Sequence, residues 1–265
     1  MHTDRVSAQS LNMRKTAGIA AIALLVSALG AGWTYAQQAG GAAHARFAAP
    51  PPPELLFRMT LENEARMPLS QSSVTTPNAE LQLYGDGKDI LVAVGKGPYA
   101  PRTFDGLCDR PCGLTLRDKN NYFDLRGRAN IKFTTIVSGF HRVRPLIKLA
   151  DGTLLIGDQA EGSMADWHQY EISFREVRWL KLDPQRGVTL IETPDPTLGG
   201  TWIENPDLSK VDEVGYFDIL PGSGVRVEGT PLEKMPPPPA GGWIAVSSFE
   251  LWGKPVPREA NDSRQ

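Results

Sequence analysis

The densest group of chemically capable side chains is the stretch "GDQAEGSMADWHQYE", which carries Asp158, Glu161, Asp166, Trp167, His168 and Tyr170. Two carboxylates held about 5–10 Å apart can act as acid and base on a glycosidic bond. His141, Asp158, Asp166 and His168 are the acid–base candidates for such chemistry. The same stretch suits plain binding, because an aromatic face beside planar hydrogen-bonding groups holds a sugar. Its other reading is a solvated loop of charges with Trp167 at the rim. A second candidate is "FHRVRPLIK", where Arg142, Arg144 and Lys148 alternate with apolar residues and share one strand face. A row of cations suits an anionic or polyhydroxyl ligand, with Arg able to grip a carboxylate at two points. The alternative is an ordinary solvated face paired with acidic neighbours. The contacts expected for a bound ligand are Arg142, Arg144, Asp166, Trp167 and Tyr170.

Other chemistries find little support. "PGSGV" lacks the spacing of a nucleophile elbow. No glycine-rich phosphate loop is present, so no nucleotide cofactor is expected. "GDGKD" lacks the ligand spacing of a calcium-binding loop, and no metal is expected. Cys108 and Cys112 lie in "LCDRPCG". In an oxidising compartment they pair as a disulfide. Closing so small a loop stabilises the fold by about 2 kcal/mol at best. A C-x-x-x-C spacing departs from the usual redox pair, and zinc usually takes four ligands.

The elements that must position these residues are strands. "ELQLYGDGKDILVAV" reads as a hairpin turning at Asp86-Gly87. "GLTLRD", "YFDLRG" and "ANIKFTTIVSG" follow, the last with Ile131, Phe133, Thr135 and Val137 on one face. "RVRPLIKLADGTLLIGD" is a second hairpin turning at Asp151-Gly152, and Pro145 within it suggests an edge strand or a bulge. "VRWLKLD", "VDEVGYFDIL" and "GWIAVSSFELWGK" complete roughly nine to eleven strands, a count that indicates a sandwich. "SFREVRW" has room for one helical turn. The expected fold is all-β, an antiparallel jelly-roll β-sandwich.

Three stretches carry a resemblance: "YFDLRGRANIKFTTIVSG" (122–139), "HQYEISFREVRWLKL" (168–182), and "NPDLSKVDEVGYFDIL" (205–220) followed by "GWIAVSSFELWG" (242–253). Their order resembles the galactose-binding-domain-like β-sandwich, which includes many carbohydrate-binding modules and the complex I intermediate-associated protein 30 family. The resemblance spans about residues 80 to 257 and implies a sandwich without any catalytic signature. The chain departs from the pattern in a long proline-containing loop before its last strand. It also has Ser247 and Ser248 where the family's final strand has an aspartate, which puts a structural calcium in doubt.

Compartment and partners come from the ends and the charge. Arg14 and Lys15 precede an apolar stretch from Ala17 to about Leu29, and Thr34 and Ala36 are the small residues of a cleavage site. Residues 1–36 are expected to be a signal peptide cut after Ala36. The apolar stretch is short of the ~20 residues that span a bilayer, so no stable anchor is expected after cleavage. Residues 37–53 form a Gly/Ala/Pro linker, 54–257 the sandwich domain and 258–265 a polar tail. The stretch 222–242, with prolines 236–239, reads as a long loop. Net charge is −2, and no basic run follows the signal, which excludes nucleic acid as the natural partner. Six Trp and six Tyr leave aromatics available for stacking. The reading is therefore a periplasmic or secreted, non-catalytic binding domain with carbohydrate as its ligand. The alternatives are a polysaccharide-active hydrolase or lyase on a β-sandwich, and a cell-envelope scaffold protein.

Overall fold

The computed structural model describes residues 51–63, 67–162, 164–190, 200–222 and 242–259. The expected signal peptide, nearly all of the linker, most of the long loop and the end of the tail lie outside these residues. Among the described residues sixteen strands occur, in the order β1 (Glu54–Arg58), β2 (Met67–Pro68), β3 (Ala79–Gly85), β4 (Leu91–Ala93), β5 (Arg102–Phe104), β6 (Cys112–Asp118), β7 (Asn121–Asp124) and β8 (Asn130–Ser138), then β9 (Arg144–Leu149), β10 (Leu154–Gly157), β11 (Met164–Ser173), β12 (Trp179–Asp183), β13 (Val188–Thr189), β14 (Trp202–Ile203), β15 (Val211–Asp218) and β16 (Trp243–Pro257). The count exceeds the expected nine to eleven partly because β2, β13 and β14 are two residues each. Pieces that short leave no periodic signature. The described helical content is three short 3-10 turns, one of them Phe174–Glu176 within "SFREVRW".

The strands form two antiparallel layers. One runs β11-β8-β16-β5-β4-β2, with β1 beside the later part of β16. The other runs β3-β6-β15-β9-β10-β12, with β13 and β14 against β12. The last residues of β16 leave the first layer and pair with β7, which also touches β15. The chain changes layer at most of its connections, as jelly-roll topology requires. The core lies between the layers. In β8, Ile131, Phe133, Thr135 and Val137 alternate inward as the period of two dictates, and Phe133 meets Tyr216 of β15 edge to face at 6.3 Å. Burying each such large apolar side chain contributes about 1.5–3 kcal/mol. The buried Thr135 in this row is satisfied, its Oγ1 donating to the Ala245 carbonyl.

The second layer is also apolar on its far face. Tyr84, Leu146, Leu154, Ile156, Leu182 and Phe217 form a separate buried cluster there. Two expectations are corrected by the pairing. β3 and β4 are not hairpin partners. β3 pairs with β6 and β4 with β2 and β5, because Gly87–Asp89 makes a 3-10 turn that carries the chain to the other layer. Pro145 is not on an edge strand, since β9 lies between β15 and β10. The β9–β10 ladder starts only at Leu146, so the missing proline N–H costs no bond on that side. The β9–β10 hairpin itself turns at Asp151-Gly152, with Gly152 at φ +89°. Cys108 and Cys112 form the expected disulfide.

Candidate functional site

The polar-aromatic stretch is not a loop. From Met164 onward it is β11, an edge strand paired with β8, with a register shift between Met164 and His168, while Asp158 and Glu161 precede that strand. Alternation divides its residues between faces. Tyr170 points inward and stacks on Phe133 at 6.3 Å. Burial, aided by the charge of Glu161, raises its ionisation far above the ordinary tyrosine range, so it stays neutral. Trp167 stacks on Tyr99 at 4.8 Å, nearly parallel, with the Arg102 guanidinium 5.8 Å from the ring. Asp166 is exposed. His168 Nε2 lies 3.6 Å from Glu161 Oε1.

The other candidates are held elsewhere. His141 is fully buried, and its Nδ1 hydrogen-bonds Asp218. Asp158 accepts from Arg178 through the backbone N–H and Nε, both at 2.8 Å. Partial burial works against its charge, but the Arg178 bonds outweigh it and hold the carboxyl below the usual range. Two of the four acid–base candidates, His141 and Asp158, are thus tied to partners of their own, while His168 Nδ1 lies 3.3 Å from the backbone carbonyl of the exposed Asp166. β9 begins at Arg144, so Arg142 lies outside the strand and is exposed. Lys148 is ion-paired to Glu213 at 2.9 Å, and Arg144 of that row faces a cavity.

The cavities sit at the β12 edge of the second layer. The 3-10 turn Phe174–Glu176 leads into β12, which pairs with β14 in the register Trp179↔Ile203 and Leu180↔Trp202. Opposed residues share a face, so Trp179 packs into the core while Trp202 stands outward. A cavity of about 730 Å³ opens here, lined by Phe174, Arg178, Trp179, Trp202, Glu204 and Asn205 among others. Trp202 also lines a second cavity of about 330 Å³, with Arg144, Asp158, Leu180, Thr189 and Ile219. Trp202 is 42% exposed, and the Arg178 guanidinium lies over its ring at 4.5 Å. Trp179 forms part of the floor, and its buried indole Nε1 has no hydrogen-bond partner among the described residues. The groove thus offers a fixed aromatic face, an orphan donor and planar charged groups. Among the described residues no three His, Cys, Asp or Glu converge as metal ligands.

Sequence reasoning placed Arg144 and Asp158 among the candidates but missed Trp202. The available signal was a lone Trp in "GGTWIENP", an aromatic held between turn-forming residues where core packing has no periodicity to use it.

No protein-family model matches the chain, and no curated protein does. Among solved structures, the chain is similar to the family 11 carbohydrate-binding module from Clostridium thermocellum in complex with a beta-1,3-1,4-mixed-linked tetrasaccharide. Identity is 13% over 77% of this chain and 100% of that one, with a TM-score of 0.34. It is also similar to the family 11 module of the cellulosomal cellulase Lic26A-Cel5E of Clostridium thermocellum, at 12% identity over 76% of this chain and 95% of that one, TM-score 0.35. The assignment of an antiparallel β-sandwich rests on the strand pairing described above.

Proposed function

We propose that this protein is an exported, non-catalytic carbohydrate-binding domain, and that the sugar lies in the groove divided by Trp202. The observation that carries the reading is the indole itself. It is a large, partly exposed aromatic standing between two cavities, with its orientation fixed by Arg178. The apolar faces of sugar rings stack on such a surface, while their hydroxyls take bonds from planar groups at its margin. A cavity of about 730 Å³ falls within the size of small-ligand sites. The binding of His141 to Asp218 and of Asp158 to Arg178 favours binding without turnover. Export is supported by the basic, apolar and small-residue sequence of residues 14–36.

The experiment is isothermal titration of the purified chain against a panel of soluble neutral and acidic polysaccharides. At least one should bind, and Trp202→Ala should weaken it by about 1–3 kcal/mol, the usual loss of a stacking aromatic. Failure of the whole panel to bind, or undiminished binding by a folded Trp202→Ala variant, removes the reading.

A further inference from the structure

Arg144 is half-buried at the start of β9, and it lacks a carboxylate partner among the described residues. Its Nη1 donates to two backbone carbonyls, Gly157 at 3.2 Å and Asp158 at 3.0 Å. Its buried Nε has no hydrogen-bond partner among the described residues. Other withdrawn guanidiniums in this protein are treated differently. Arg117 and Arg258 each pair with Asp212. Arg102 rests on Trp167. The carboxylate nearest in sequence to the Arg144 contacts, Asp158, is already bound to Arg178. A charge withdrawn from water is costly unless it is paired. Arg144 therefore lines the 330 Å³ cavity beside Trp202 as a cation that Asp158 and Asp218 stabilise only at a distance, with no direct ion pair among the described residues.

We infer that this cavity is an anion subsite of the groove, and that the ligand is an oligosaccharide bearing a carboxylate or sulfate group. The inference rests on the proposed carbohydrate reading and adds the charge of the sugar. The stacked ring lies on Trp202, and its acidic substituent reaches Arg144 across the cavity they share. Burial and the like charge of Arg142 pull the Arg144 pKa downward, as expected of a cation waiting for a counter-charge. The carbonyls hold Nη1 and burial closes off Nε, which leaves Nη2 of the guanidinium for the ligand.

The test compares three matched oligosaccharides by calorimetry with the full chain: a uronic-acid oligomer, its carboxyl-reduced neutral form and a sulfated form. An acidic form should bind at least tenfold more tightly than the neutral one. That margin should shrink with added salt and disappear in Arg144→Gln. Arg144→Lys, which keeps the charge, should retain part of it. Preference between the carboxylated and sulfated forms identifies the substituent. Equal binding of acidic and neutral forms by the wild-type chain overturns the anion subsite while leaving the groove reading intact. Absence of all binding overturns both. The ligand comparison needs no variant, so a poorly folded Arg144→Gln does not decide the outcome.

Discussion

The guanidinium carbon of Arg178 lies 4.5 Å from the centre of the Trp202 ring. Arg178 is itself 73% exposed, so nothing on its solvent side fixes it. What holds it is Asp158, which receives both its backbone N–H and its Nε. The Trp202 ring is thus oriented through a chain of two residues that begins at the end of β10 and ends at β14. Exposed ion pairs of this kind add about 0–1 kcal/mol to stability. Their value here is positional.

Asp158→Ala should therefore separate binding from stability. Denaturant unfolding should change by no more than about 1 kcal/mol. Saccharide affinity should fall several-fold, because the Trp202 ring loses its fixed orientation before binding. The Asp158 carboxyl is held below the ordinary carboxylate range. A depressed pKa keeps the group charged above its unfolded value and loses the contribution only as pH falls through the folded one. Affinity of the wild-type chain should hence be level from pH 8 to about pH 5 and decline only in stronger acid. Calorimetry across that range checks it, and a decline beginning above pH 6 contradicts the assignment.

A second prediction concerns the far face of the second layer. Glu213 is 2% exposed there. Its Oε2 accepts from Tyr84 Oη at 2.5 Å and Thr115 Oγ1 at 2.6 Å, and its Oε1 binds Lys148 Nζ at 2.9 Å. One carboxylate joins β3, β6, β9 and β15. Burial and the Glu213 charge push the Tyr84 ionisation far upward, so its hydroxyl remains a donor at any working pH. Removing one member of a buried charged network leaves the others desolvated and unpaired, at a cost of about 3–5 kcal/mol. Glu213→Ala should show a loss of that size in urea unfolding. Tyr84→Phe, which removes one donor, should lose about 1–2 kcal/mol. A Glu213→Ala variant within 1 kcal/mol of wild type would mean that the network is not a stabilising unit.

Much of the fold was legible because its strands obey simple patterns. β8 alternates without a break, and its odd-numbered residues from Ile131 to Val137 are the buried ones. The turn at Gly152 announces β9 and β10. Where local chemistry and tertiary contacts disagree, the reading failed. Asp86-Gly87 has hairpin composition, but Arg110 clasps Asp86 through two bonds, and a 3-10 turn follows. β11 lost its strand signature at the shift between Met164 and His168, which places Asp166 and Trp167 out of simple alternation. The groove was hardest to see. Trp202 belongs to a two-residue strand, and only its pairing opposite Leu180 sets its direction. Arg144 and Asp158 were accessible as polar residues near strands, but not the cavity that unites them with Trp202.

The last prediction turns on buried acids. Asp105 follows β5, is 2% exposed, and accepts the Ile244 N–H through Oδ1 at 2.6 Å. Asp218 lies beside it, equally buried, and is bound to His141 Nδ1. Two adjacent carboxylates in a low-dielectric interior cannot both ionise cheaply. Burial, and then the charge of Asp218, raise the Asp105 pKa well above its ordinary value. The folded state therefore holds this proton more tightly than the unfolded chain does. Its stabilising effect is complete below the ordinary aspartate pKa, near 4, and is lost as pH rises toward the folded value. Asp105→Asn keeps a carbonyl for Ile244 and removes the titration. The stability of this variant relative to wild type should thus rise steadily between pH 5 and pH 8. Asp105→Ala, which abandons the Ile244 N–H, should lose about 1–3 kcal/mol at pH 5. Urea unfolding of the three proteins at several pH values separates the two effects. A constant offset between Asp105→Asn and wild type would show that Asp105 binds no more protons in the folded state than in the unfolded one across this range, which overturns the raised pKa.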